Sequence, residues 1–558
     1  MEKKTIIAFA LSFLVLILWY TVFGPKNKPV VPEEGGVHDG AKTAAPELIE
    51  KPAAKAPVIH EAGTPEGKQF PSSIHEKEIA VETPLYRIIF SNVGVSIKSC
   101  QLKEYKLTTD PDSPPVELVH NQSGKEGFLS AFFNNQSIPE AADQDLVFRV
   151  NTEENIRLAP GSRPRDLTFE CMRPDGIVYS QTFRFYPDRY DIDLSMNLTN
   201  SSGSPVQGNI KAYLQNTPPQ KKTSYYAFVG LALLLDGDLE RIKTKKMKED
   251  KYLSGKIGWI AYEDDYFISS IIPEDTNDGN FIGKLLPSGA VIGEYIYPAI
   301  TLRPLEQAAY TMKIYLGPLD LDILRKIDKK LDLAVNYGFF DIIAKPLHYA
   351  LRFFNKYVHN FGISIIILTV LIKIIFWPLT HKSYKSMKEM QKLQPIMAKI
   401  REKYKNNKEQ MQKELMGLYK TYKVNPMGGC LPMVIQIPVF FALYRILGTS
   451  IELRHAPFFL WIKDLSAPDR LFHFPFSIPF MSPPYGIPVL TLLMGASMFI
   501  QQKMTPTAGD PSQAKVMMFL PIIFTVMFIN FPSGLVLYWL TNNILSICQQ
   551  YRITKKPG

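Results

Sequence analysis

A helical membrane core of five spans, preceded by an N-terminal anchor helix and a large all-β domain outside the membrane, is the fold class this sequence predicts. Three observations predict it. Between Met427 and Cys548 only ten of 122 residues are Asp, Glu, Lys or Arg. Thr5–Phe23 is an uncharged run of nineteen residues behind Lys3 and Lys4. Between these regions, from about residue 76 to 318, apolar and polar residues alternate with the period of two that a half-buried strand requires.

Whole-chain averages conceal this division. Of 558 residues, 46% are hydrophobic and 21% charged, near the averages for globular proteins, which excludes collagen-like, wholly disordered and disulfide-scaffold classes. The mean hydropathy of −0.04 averages two unlike halves. The charge-poor C-terminal third excludes a simple soluble enzyme. The net charge of +10 could face nucleic acid or an anionic membrane surface; position along the chain decides between them.

Residues 1–24 read as an uncleaved anchor. Nineteen helical residues span about 28 Å, close to a bilayer core. A cleaved signal peptide would have a shorter apolar stretch and an Ala-x-Ala site, and neither is present. Trp19 and Tyr20 suit an interface, and the two lysines keep the N-terminus in the cytoplasm. Residues 25–75, rich in Pro, Ala, Gly, Glu and Lys, have too little apolar surface to offset ordering entropy and read as a flexible tether.

Residues 76–318 read as an antiparallel sandwich. Strands are predicted at Leu85–Phe90, Val93–Ile97, Thr182–Tyr186, Asp191–Thr199 and Tyr310–Leu316. Ile192, Leu194, Met196 and Leu198 share one face, and Arg173-Pro-Asp-Gly176 is a turn signal. The domain contains no GxxxxGK[ST], HExxH or GxSxG motif. No cofactor, metal ligand, catalytic residue or small-molecule substrate is therefore expected, and the chain does not read as an enzyme. Cys100 and Cys171 lie in the oxidising compartment and are candidates for a disulfide; the alternative is two buried thiols acting as core residues.

Residues 319–360 connect this domain to the core and include an amphipathic stretch, 340–359. Ile343, Leu347, Ala350, Leu351, Phe354 and Val358 share one helical face, and Lys345, His348, Arg352, Lys356 and His359 the other. Such a helix can lie in a membrane interface. The core, 361–550, has predicted spans at Phe361–Thr380, Leu431–Leu447, Ile487–Gln502, Val516–Phe531 and Leu535–Cys548. The last three are 14 to 16 residues long and should perturb the bilayer around them. The loop 381–426 carries twelve Lys or Arg against four Glu, whereas 451–486 carries three of each sign. The first is therefore cytoplasmic and the second external, the basic tail 551–558 ends inside, and the β domain falls outside. A tether in an oxidising exterior points to the periplasm of a Gram-negative bacterium.

Within the cytoplasmic loop, residues 382–424 read as an antiparallel helical hairpin. Its seam is Met390, Leu393, Met397, Ile400 and Tyr404 against Met411, Leu415, Leu418 and Tyr422, with a kink expected at Pro395. Lys385, Lys388, Lys392, Lys399, Arg401, Lys403 and Lys413 form a basic surface suited to lipid headgroups or ribosomal RNA, or merely solvated under the positive-inside rule.

Lys373 is the one charge deep in any predicted span, and no Asp or Glu lies inside a span to pair with it. Such a residue costs about 2.5–3.5 kcal/mol on insertion scales and faces a water-filled cavity or a partner in most cases. Thr369 lies one turn before it; Gln436 and the run Thr541, Asn542, Asn543 are further polar residues in the bundle. A cationic polar groove without a counter-ion awaits an anionic or polar guest.

Lys373–Thr380 (KIIFWPLT), Asn425-Pro-Met-Gly-Gly-Cys430, Gln436-Ile-Pro438, Phe458–Ser466 (FFLWIKDLS) and Phe531–Tyr538 (FPSGLVLY) resemble the YidC/Oxa/Alb family of membrane protein insertases, collinearly across the chain. The resemblance implies a galactose-mutarotase-like β-supersandwich outside the membrane. It also implies a hydrophilic groove open to cytoplasm and lipid, with an arginine usual at the position of Lys373. Gln436, Thr369 and Trp539 match other groove positions, and Asn542, from the polar run of the last span, is assigned to the groove with them. The implied partners are nascent membrane proteins, the Sec translocon and the ribosome; anionic lipids are added by the basic hairpin surface. Two rivals remain open at this level: a small-solute transporter, which would normally show internal repeats, and an anchored carbohydrate-binding protein.

Overall fold

The computed structural model describes residues 59–61, 75–120, 128–135, 146–152, 154–219, 228–274, 278–327, 329–422, 424, 431–504 and 511–555. The predicted anchor and most of the predicted tether lie outside them. One part of the tether is ordered: Ile59–Glu61 is a strand, paired antiparallel with Glu306–Ala308.

The region 78–318 is a large β-sandwich. A five-stranded sheet built from Glu78–Glu117 and Ile156–Arg157 faces a fifteen-stranded sheet. The strand Glu306–Pro318 pairs with Asp191–Asn200 on one side and Phe267–Pro273 on the other. Register explains the core. Ile192, Leu194, Met196 and Leu198 stand opposite Ile314, Met312, Tyr310 and Ala308, and all eight are buried. Because side chains alternate, one register places both inward sets in the same layer. Phe90 of the smaller sheet meets Phe183 of the larger at 5.0 Å between ring centroids, joining the two faces.

One predicted strand starts late for a local reason. Of the predicted strand Val93–Ile97, only Ser96 and Ile97 lie in a strand. Gly94 and Val95 adopt positive φ of 62° and 48°, turning the chain so that the strand begins at Ser96. Cys100 and Cys171 are buried thiols rather than a disulfide. Each fills a core position in a different sheet, and burial pushes the Cys100 thiol well above its ordinary pKa.

Nine helices follow among the described residues: α1 Leu321–Lys326, α2 Asp341–Val358, α3 Phe361–Ile375, α4 Trp377–Lys403, α5 Lys408–Thr421, α6 Leu431–Thr449, α7 Val489–Met504, α8 Pro511–Phe528 and α9 Ser533–Lys555. The first predicted span is broken: α3 and α4 meet at 66°. Phe376, between them, has φ −85° and ψ 0°, and Pro378 disfavours a continuous helix immediately before it. The bend thus falls here and not at Pro395, through which α4 continues to Lys403. No single helix among the described residues is long and apolar enough to cross a membrane, whereas the bent α3–α4 pair is. The last three helices have 16, 18 and 23 residues. Of these only α7, about 24 Å long, falls clearly short of a ~30 Å bilayer core.

Helix α2 reverses part of its predicted orientation. His348, assigned to the polar face, is buried, and Arg352 is half-buried. Ile342, Phe353 and Tyr357 are exposed, at 87%, 57% and 67%, alongside Pro346 and the predicted polar-face residue Lys356. The reason is Glu452, in the loop after α6. His348 Nε2 lies 3.3 Å and Arg352 Nε 3.5 Å from Glu452 Oε1. Periodicity recorded the amphipathicity, but a carboxylate far along the chain decided which polar groups turn inward.

The loop 451–486 is pinned at Asp469 and Arg470. Arg470 donates to the carbonyls of Pro484 and Ile529 at 2.9 Å, and Asp469 Oδ2 accepts the Leu490 amide at 2.5 Å. Burial pushes the Asp469 carboxyl up to about 6, against the hydrogen bond from Leu490 and the charge of Arg470. A folded-state pKa above the unfolded ~3.9 contributes stability that is present below about pH 4 and lost as pH rises through 6. Ionised Asp469 therefore costs about 2–3 kcal/mol at neutral pH. Asp469→Asn should raise the melting temperature at pH 7.5 and shrink the difference between pH 5 and pH 7.5. Thermal unfolding of the detergent-solubilised variant at both pH values checks this.

Candidate functional site: a polar seam in the helical core

Helix α9 carries a polar stripe inside the apolar bundle. Asn542, Asn543, Ser546, Gln549 and Gln550 recur at helical spacing. Each meets a different neighbour. Lys373 Nζ of α3 donates to Ser546 Oγ at 2.6 Å, and Ser546 Oγ donates to the Asn542 carbonyl at 2.7 Å. The amides of Asn542 and Gln436, the latter on α6, exchange hydrogen bonds at 3.4 Å. Asn543 Nδ2 donates to Ser497 Oγ of α7 at 3.0 Å. Gln549 Nε2 donates to Thr380 Oγ1 of α4 at 3.0 Å. The stripe therefore ties four helices to α9.

Lys373 is 4% exposed and forms no ion pair among the described residues. An ammonium has three donors and Ser546 accepts one. Thr369 is buried on the same face of α3 and donates to the Ile365 carbonyl at 2.6 Å, satisfying itself within its helix. Trp539 stands apart from the cation. It packs on Phe440 at 4.8 Å and Phe528 at 5.1 Å between ring centroids, one turn along both α9 and α6 from the Asn542–Gln436 pair. Of the five groove positions, Lys373, Asn542 and Gln436 are linked through Ser546, and Trp539 belongs to an aromatic wall beside them. The predicted polar run ends at Asn543, and Ser546, Gln549, Thr380 and Ser497 extend it in the structure. The signal for the first two was present: polar residues at i, i+4 and i+7 from Asn542 in an apolar helix.

Chemically the seam can hold an anion or a hydrogen-bonding backbone. Outside it the helices are apolar: Ile374 and Ile375 on α3, and Phe519, Ile522 and Ile523 on α8, are 58–64% exposed.

Comparison with known proteins identifies the family of the chain. Residues 353–557 match the family described as 60Kd inner membrane protein, and residues 78–350 that described as YidC periplasmic domain. A membrane protein insertase YidC from Syntrophobacter fumaroxidans is 43% identical over 563 residues, covering 100% of both chains. The chain belongs to the YidC family of membrane protein insertases. A solved YidC insertase with its first transmembrane domain resolved overlaps 86% of this chain and 93% of its own, at 19% identity and a TM-score of 0.38. A galactose mutarotase-like protein from Lactobacillus casei overlaps 43% of this chain at 11% identity and a TM-score of 0.30. Full-length relatedness to YidC sets aside the transporter and carbohydrate-binding alternatives.

The YidC-family hairpin is built by α4 and α5. Met390, Leu393 and Met397 pack with Val424, Leu415, Leu418 and Tyr419. Tyr422, assigned to the seam, is instead 53% exposed, and Tyr419 takes its place. Lys385, Lys392, Lys399, Lys403 and Lys413 are exposed, and Arg401 is half-buried. Lys388 is drawn inward and donates to the Ile553 carbonyl at the end of α9 at 3.2 Å. Lys392 pairs with Glu389 at 3.0 Å.

A second polar cluster joins the YidC-family β domain to the helical core. Arg241 bridges Glu263 at 2.6 Å and the Ala334 carbonyl at 2.5 Å. Tyr337 Oη lies 2.9 Å from His348 Nδ1, and His348 faces Glu452. Burial opposes ionisation of Glu452, but His348 and then Arg352 hold its carboxyl below the usual carboxylate range. Arg241, Glu263, Tyr337, His348 and Glu452 line a cavity of about 200 Å³ between β domain, α2 and the end of α6.

Proposed function

We propose that the Lys373 seam is the groove through which this insertase passes the hydrophilic flank of a nascent membrane protein. The single observation that carries the reading is a buried cation held by Ser546 with no counter-ion among the described residues. A short polar or acidic flank enters from the cytoplasm and exchanges its water for Lys373, Asn542 and Gln436. The barrier falls because the flank meets fixed donors rather than hydrocarbon. The hydrophobic segment then leaves sideways into lipid, which drives release. The step needs no nucleotide and breaks no covalent bond, so the protein acts as an insertase and chaperone and not as an enzyme. Five spans follow an N-terminal anchor, with both termini cytoplasmic and the β domain periplasmic. Ribosome, Sec translocon and anionic lipid are its partners, the first and last met by the basic hairpin.

Reconstitution of the purified full chain into liposomes with a radiolabelled single-span substrate tests this; failure to protect the substrate from protease would sink it. Ser546→Ala should reduce insertion several-fold, since a neutral or charge-assisted hydrogen bond contributes about 1–3 kcal/mol, while Ser546→Thr, which keeps the acceptor, should rescue it. Equal activity of Ser546→Ala and the parent would separate Ser546 from the groove.

The hairpin has its own test. Reversing Lys385, Lys399, Lys403 and Lys413 to Glu should weaken ribosome and anionic-liposome association, with the difference vanishing at high salt. Cosedimentation at low and high salt measures it, after protease accessibility has checked orientation. Parent-level binding at low salt would leave these lysines as a solvated surface.

A further inference from the structure

The loop between α6 and α7 contains a stretch that water does not explain. Residues 471–487 (LFHFPFSIPFMSPPYGI) include four Phe and no Asp, Glu, Lys or Arg. Phe472, Phe476 and Phe480 are 68%, 60% and 80% exposed, and Leu460, earlier in the same loop, is 87% exposed. Contiguous exposed apolar surface of this kind marks an interaction site.

The backbone holds these side chains out rather than letting them fold back. Leu460, Phe472 and Phe480 adopt positive φ of 58°, 54° and 64°, a conformation unfavourable for side chains with a Cβ. Such strain persists only where surrounding structure fixes it, and here it does. Asn530 Nδ2 donates to the Phe480 carbonyl at 2.8 Å, and Asn530 Oδ1 accepts the Ser482 amide at 2.7 Å. The strands Leu471–Phe474 and Tyr485–Ile487 pair with each other, and Arg470 closes the base. These bonds preorganise the display.

Three features choose lipid as the occupant. First, the stretch leads directly into α7, where Leu492, Leu493 and Ile500 are each 51% exposed. Second, its backbone suits an apolar solvent. Pro475, Pro479, Pro483 and Pro484 have no N–H to leave unsatisfied. Third, α7 has 16 residues, leaving it about 6 Å short of a ~30 Å core. An element immersed about 5–10 Å at the headgroup–acyl boundary makes up that length. The side of the membrane is set by Arg454, in the same loop, which donates to the Leu107 carbonyl of the β domain at 3.2 Å.

We propose that residues 471–487, with Leu460, form a rigid aromatic wedge immersed in the bilayer leaflet facing the β domain. The wedge completes the hydrophobic thickness that α7 lacks and fixes the depth of the core. It rests on the membrane location of the family and is independent of the groove's role.

The test places an environment-sensitive fluorescent amino acid at position 480 and, in separate full-length proteins, at 472 and 476. Lys245, exposed on the β domain, is the control. Each protein is reconstituted into phosphatidylethanolamine–phosphatidylglycerol vesicles with and without bromine on the upper acyl carbons, about 5–10 Å below the headgroups. Emission from at least two of the three loop sites should fall roughly twofold with brominated lipid, and that from position 245 should not change. Loop labels no more quenched than position 245 would overturn the proposal. So would a photo-crosslinker at 480 that captured a second copy of the chain, or another protein, without lipid adducts. Because no substrate is present, either failure leaves the groove untouched.

Discussion

Lys373→Ala should cut insertion of single-span substrates with acidic flanks by about ten- to a hundredfold, the equivalent of losing a charge-assisted contact of about 1.5–3 kcal/mol. The charge does the selecting: a neutral flank should lose much less. Lys373→Arg should keep most of the activity, because guanidinium retains the charge and its donors can still reach Ser546 and Asn542. Lys373→Glu should be the most damaging, since it repels the same flanks. Protease protection of radiolabelled substrate in liposomes gives each value, alongside a folding check by thermal unfolding. Full activity of the alanine variant across acidic and neutral flanks would remove Lys373 from the mechanism. The contrast between flanks matters more than the total loss, because a merely structural role for Lys373 would lower both equally.

Trp259→Ala should destabilise the β domain by about 3–5 kcal/mol, the cost of truncating a fully buried tryptophan, while leaving insertion nearly intact. Trp259 is 0% exposed on the strand Lys251–Glu263. The seam residues lie on α3, α4, α6, α7 and α9, and the β domain reaches the core through Arg241, Tyr337 and Arg454 rather than through the seam. Limited proteolysis of the reconstituted variant should show faster loss of the β domain at elevated temperature. Liposome insertion below that transition should match the parent. Loss of insertion while the β domain is still folded would show that the junction transmits more than position. By the same logic most of residues 76–318 should be dispensable for insertion, provided α2 is retained to seat the core.

The sequence by itself determined those features that depend on local chemistry or on a period. Alternation placed Ile192, Leu194, Met196 and Leu198 in one buried layer, because a strand's two faces are fixed by its pleat. The low charge density after Met427 marked the helical core, and the cost of burying an ammonium singled out Lys373. Motifs such as FPSGLVLY carried the family. Tertiary structure decided what one stretch of chain cannot know about another. Lys373 takes its partner from Ser546, 173 residues later. His348 and Arg352 turn inward because Glu452 meets them from beyond α6, and Lys388 leaves the basic surface for a carbonyl at the end of α9. Cys100 and Cys171, read as a candidate pair, sit in separate sheets as core thiols. The division has one physical cause. Burial and periodicity act within a segment and are written in its composition, whereas hydrogen bonds and ion pairs in a low-dielectric interior are short-ranged and directional, so their partners are fixed only when packing brings distant segments within about 3 Å.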